Sequence, residues 1–120
     1  MGLFTPDWNS KSYMKASRAV DKITDEKKLQ KIAFMAIDQG IRKLAAKKIT
    51  DQNVLIAIAK KTDETESVRE AAVKRITDQN ALIEIAKTDE DVREAAIERI
   101  TDQNALIEIM MLPNSYICAK

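Results

Sequence analysis

The stretch RITDQNALIEI occurs at residues 75–85 and again at 99–109 with no letter changed. A repeat of this kind constrains a fold strongly, because every copy must meet its neighbour in the same way. ITDQN begins at Ile49, Ile76 and Ile100, and a looser version, ITDEKKLQKIA, begins at Ile23. The offsets are 26, 27 and 24 residues. Between these copies a second phrase recurs: IRKLAAKKI from Ile41, VREAAVKRI from Val68 and VREAAIERI from Val92. The unit is therefore two segments of about ten to twelve residues each, with small length changes in the joint.

Both segments have helical periodicity. In the first, Leu82, Ile85 and Ala86 fall at i, i+3 and i+4, as do Leu55, Ile58 and Ala59, and Leu29, Ile32 and Ala33. In the second, Val92, Ala95, Ala96 and Ile100 form a stripe on one helix face. Strand alternation is absent. Thr24-Asp25, Thr50-Asp51, Thr77-Asp78 and Thr101-Asp102 place a capping oxygen before each first helix. Asp38, Thr65 and Asp89 lie three residues before the Ile or Val that opens each second helix, and are expected to cap it. Helices this short are marginal alone. Stacked side by side, the pairs bury one continuous core, which is the logic of a repeat array.

Composition agrees. The chain has 120 residues, 45% hydrophobic and 32% charged, with only two Gly and two Pro to interrupt helices. Its net charge of +1 hides an asymmetry. Residues 1–61 carry 13 Lys or Arg against 6 Asp or Glu, and residues 62–120 carry 7 against 13. The balances, +7 and −6, point to steering of partners or self-association. Cys118 has no second cysteine to bridge, and no apolar run approaches a membrane span. The opening MGLFTPDWNSKS lacks a signal peptide's apolar region, and Pro6 stands where a myristoylation signal needs Ser or Thr. The expected location is cytoplasmic.

The phrases DQGIRKLAA (38–46), TESVREAA (65–72) and DEDVREAA (89–96) resemble the second-helix signature of HEAT and HEAT-like repeats. The short period is also similar to leucine-rich-variant repeats. The resemblance covers about residues 24–111 and implies an all-α, right-handed α-solenoid of about four helical pairs. It also implies that Arg42, Arg69 and Arg93 form a structural ladder with carboxylates of adjacent units, for which Asp51, Asp78 and Asp102 are the recurring candidates. The second helices would line the concave face, exposing Lys43, Lys47, Lys48, Glu70, Lys74, Glu94 and Glu98 as candidate binding residues.

The expected organisation is a single domain. It runs from an N-terminal cap helix (1–23) through repeats at 24–49, 50–76 and 77–100 to a partial repeat and C-terminal cap (101–120). Leu3, Phe4 and Trp8 are expected to cover the first edge. MMLPNSYICAK replaces the next expected second helix, leaving Leu106, Ile109 and Met110 without a full neighbour. The chain has no His, which removes His-based nucleophilic and acid–base catalysis and most zinc sites. No EF-hand spacing or glycine-rich phosphate loop is present, and the acidic run at 63–66 and 89–91 reads as helix-cap chemistry. No catalytic residue, metal or cofactor is expected. The function expected is non-catalytic protein or peptide binding along a basic-to-acidic gradient. Nucleic-acid binding through the basic half is the runner-up, weakened by few aromatics for base stacking. The exposed ends and the charge dipole permit weak self-association.

Overall fold

The computed structural model describes residues 6–112. A single 3-10 turn, η1 (Asp7–Asn9), precedes eight α-helices, and no strand occurs among the described residues. They are α1 (Tyr13–Lys22), α2 (Glu26–Met35), α3 (Gln39–Ala46), α4 (Gln52–Lys60), α5 (Glu66–Val73), α6 (Gln79–Thr88), α7 (Arg93–Arg99) and α8 (Gln103–Met110). The described residues form an all-helical structure, as the periodicity predicts. Gly2, Leu3, Phe4, Pro113, Tyr116, Ile117 and Cys118 lie outside the described residues.

The helices pack as successive pairs. α2 lies on α3, α4 on α5 and α6 on α7. Neighbouring pairs meet through α1, α3, α5 and α7 on one side and through α4, α6 and α8 on the other. The packed array measures 55 × 27 × 21 Å. The predicted stripes are the core: Leu29, Leu55 and Leu82, then Ile32, Ile58 and Ile85, are each at most 2% exposed. Full burial of each such side chain contributes roughly 1.5–3 kcal/mol. Ala45, Ala72 and Ala96 are fully buried, and their small side chains let the second helices approach closely. Trp8 packs against the first edge of this core.

Aspartate caps the first helices. Asp51, Asp78 and Asp102 each accept from two amides of the following first turn, and Asp25 from one. Asp38 and Thr65 cap α3 and α5. α7 differs: it starts at Arg93 without a side-chain cap. Asp89 accepts the Asp91 amide through Oδ1 at 3.0 Å, just ahead of the helix, while its Oδ2 meets the Arg69 guanidinium.

Units are joined by repeated contacts of several kinds. The first sits at the opening position of each first helix. Glu26 accepts from the Thr50 amide at 3.1 Å and the Asp51 amide at 3.0 Å. Gln52 accepts from the Thr77 amide at 2.8 Å, and Gln79 from the Thr101 amide at 3.0 Å. The two glutamines also donate to the carbonyls of Arg75 and Arg99. The second set satisfies carbonyls that a helix end leaves open. Arg75 and Arg99 donate through Nε to the carbonyls of Ile49 and Ile76, and Lys48 donates to those of Val20 and Asp21.

The third set is the arginine ladder, with partners other than those expected. Arg42 makes a two-pronged pair with Glu64, at 2.9 and 3.0 Å, and donates to the carbonyls of Ala36 and Ile37. Arg69, only 2% exposed, pairs with Asp89 and with Asp91 and donates to the Ala59 carbonyl. Asp51, Asp78 and Asp102 meet no arginine among the described residues; Oδ1 of each caps its own helix. Glu64 and Asp89 lie in the loops facing the preceding second helix, which is where the guanidinium reaches. The acidic runs therefore supply ion-pair partners for the arginines, and Glu64 and Asp89 also accept backbone amides beside the helix starts.

Candidate binding groove

The side-by-side second helices form one continuous surface. The same register positions recur on it: 43, 70 and 94, and one turn later 47, 74 and 98. They hold Lys43 on α3 with Lys47 at its C-cap, Glu70 on α5 with Lys74 at its C-cap, and Glu94 and Glu98 on α7. Formal charge thus steps from +2 to 0 to −2 across three adjacent helices. Lys47, Lys74, Glu94 and Glu98 are exposed, and Lys43 and Glu70 half-buried. None has an ion-pair or hydrogen-bond partner for its side chain among the described residues, so the charges face solvent.

Lys48 does not belong to this set. It follows Lys47 in sequence, but a helix turns about 100° per residue. That rotation carries Lys48 off the surface, and its Nζ sits 2.9 Å from the carbonyls of both Val20 and Asp21. It is a tie between units.

The basic end of the surface is also concave. Tyr13, Asp38, Gly40, Lys43, Lys47 and Ser67 are among the residues that line an open groove of about 500 Å³ spanning α1, α3 and α5, with the Asp38 carboxylate turned to the α3 cap. Gly40 shapes it. A Cβ there would stand 3.0 Å from the Tyr13 ring and 3.1 Å from the capping carboxylate oxygen of Asp38. Glycine lets the ring lie against the start of α3, so a half-exposed aromatic borders two ammonium groups. Such a site can take an extended or helical segment that offers carboxylates and one apolar side chain.

The chain matches no family model, no curated protein and no solved structure. The groove is therefore read from its own chemistry. Sequence reasoning missed Tyr13 and Gly40, which precede or interrupt the repeat and have no periodic signal. It also missed the ties made by Gln52, Gln79, Arg75 and Arg99. These could have been found, since each holds a fixed place beside the recurring Thr-Asp pair. Glu84 and Glu108, both exposed, pair across units with Lys60 and Lys87 at 2.9 Å. No helix of the described residues is long and apolar enough to cross a membrane.

Proposed function

We propose that this chain is a HEAT-like, right-handed α-solenoid that binds a protein or peptide along its second helices, without catalysis. The observation that carries this reading is the step from +2 to 0 to −2 at equivalent positions on α3, α5 and α7. Charges used for solubility alone have no reason to sort along one face. A graded face orients a partner of opposite gradient and raises its association rate. The acidic end of the partner enters the groove beside Tyr13, Lys43 and Lys47. A cytoplasmic setting belongs to the same reading.

The test is affinity capture from a host lysate with the wild-type chain and the variant Lys43→Glu/Lys47→Glu, each with and without nuclease. A stoichiometric protein that is retained after nuclease and lost from the variant supports the reading. Partners that disappear with nuclease move the assignment to nucleic acid. A set of partners unchanged by the variant removes the basic groove from the function. Lys48→Glu is excluded from the variant, because it would break a tie between units.

A further inference from the structure

The interior junctions show what each unit presents to the next. An arginine reaches a loop carboxylate: Arg42 to Glu64, Arg69 to Asp89. A glutamate or glutamine reaches the next threonine amide. A lysine reaches the next glutamate: Lys60 to Glu84, Lys87 to Glu108. An isoleucine, Ile56 or Ile83, is half-buried against the core. At the C-terminal end the equivalent residues are Arg93, Gln103, Met111 and Ile107.

Among the described residues, the side chains of Arg93 and Gln103 have no hydrogen-bond or ion-pair partner. Ile107 is 55% exposed, Met111 78% and Met110 79%. The lysine of the interior junctions has become Met111, so this end is more apolar than the junctions it copies. Arg93, Ile97, Ile109, Met110 and Leu112 line a shallow cavity of about 220 Å³.

The opposite end has complementary chemistry. Met14 and Ala19 of α1 lie among Lys15, Arg18 and Lys22, around a groove of about 470 Å³ that Asp7 also lines. Residues 6–35 carry 7 Lys or Arg and 4 Asp or Glu, a balance of +3, whereas residues 90–112 carry 2 and 6, a balance of −4. Large exposed apolar side chains among the described residues occur only within residues 13–37 and 107–111.

We propose that the C-terminal end docks the N-terminal end of a second copy of this chain, head to tail. Ile107, Met110 and Met111 pack against α1, and Asp7 of the second copy, which stands 3.8 Å from Lys15 of its own chain in an exposed ion pair, supplies the carboxylate for Arg93. Asp7 is assigned because it is the sole carboxylate of η1 and α1 before Asp21. The position matching Glu64, immediately before the cap residue, is Lys11 in the first unit. A lysine there repels Arg93, so the joint is weaker than an interior junction. An end face of 27 × 21 Å hides on the order of 1,000 Å² in total, the size of a reversible interface. Each added copy leaves the same two ends open, so association is open-ended unless the array closes on itself. Lys43 and Lys47 play no part, and the groove reading stands or falls separately.

Sedimentation equilibrium of the full chain, from micromolar to millimolar concentration at low and high salt, tests this. The weight-average mass should climb with concentration at low salt and fall back at high salt. Ile107→Lys/Met111→Lys, at two exposed positions, should abolish association with unchanged helicity by circular dichroism. Arg93→Asp and Asp7→Arg should each weaken it by about fivefold, and the two together should restore it. A monomeric mass at every concentration and salt overturns the proposal. So does association that survives the Ile107/Met111 variant. Indifference to Asp7→Arg, with the Ile107/Met111 variant monomeric, identifies a tail-to-tail dimer and overturns the head-to-tail assignment.

Discussion

The two copies of RITDQNALIEI have one sequence and two environments. In residues 75–85, Leu82 is fully buried, Ile83 is half-buried, and Gln79 ties the unit to the Thr101 amide. In residues 99–109, Leu106 is only half-buried, Ile107 is 55% exposed, and Gln103 bonds to nothing described. The helices preceding the two copies repeat the contrast. Arg69 is held by two carboxylates and a carbonyl, while Arg93, in the same VREAA phrase, borders a shallow cavity. Identical letters are therefore worth different amounts. What a residue contributes in an array depends on whether the next unit is there to meet it.

The sharpest way to break this comparison is to remove the arginines one at a time. Arg69→Ala leaves Asp89 and the Ala59 carbonyl without their partner in a mostly buried setting. It should lower unfolding stability by about 3–5 kcal/mol. Arg93→Ala should cost less than about 0.5 kcal/mol, as at a surface site. Urea denaturation followed by circular dichroism reads both values, and equal losses would mean that the ends are as well packed as the middle.

The next effect is in packing. Leu82→Ala removes a fully buried side chain and should cost about 2–5 kcal/mol. Leu106→Ala, at the matching position, should cost about 1 kcal/mol, because part of the side chain is already in water. The ratio of the two losses, from the same denaturation experiment, measures how far the last unit falls short of an interior one.

The smallest effect concerns the first joint. Burial works to raise the Glu26 pKa, but the Asp51 and Thr50 amides and the Thr50 hydroxyl outweigh it and hold the value below its ordinary 4.5. The unfolded chain therefore binds this proton more tightly than the folded one. The stability that Glu26 adds is fully present above pH 4.5 and is lost as pH falls through the lower folded value. Gln52 and Gln79 hold the same position without titrating. Glu26→Gln should leave stability near neutral pH little changed and flatten its fall in acid. Stability measured across that range in both chains checks it, and unaltered acid sensitivity would remove Glu26 as a contributor.

Much of this was legible in the letters. Leu29, Leu55 and Leu82 recur at one place in the unit and are all buried, since a 3.6-residue period can bury only one face. Asp25, Asp51, Asp78 and Asp102 stand before helices and cap them, because an aspartate oxygen satisfies amides within its own first turn. Both are local effects. Ile109 was expected to lack a full neighbour and is 1% exposed, because it faces the preceding pair, α6 and α7, whereas Ile107 on the next face is open. Of the candidate groove residues, Lys43, Lys47, Glu70, Lys74, Glu94 and Glu98 share a surface by register alone. Lys48 could not be separated from Lys47 by reading adjacent lysines.

The sequence by itself determined the helices, the caps of all but α7, the core stripe and the order of charge along the second helices. Each depends on contacts within a few residues or on a strict repeat. Only the tertiary structure decided which carboxylate each arginine takes, which lysine ties units together and which copy of an isoleucine meets water. Loop lengths differ from unit to unit, and a shift of two residues moves Glu64 or Asp89 in or out of reach of a guanidinium on the neighbouring pair. Charge finds its partner by distance in space, and the sequence encodes that distance only through the packing of every unit in between.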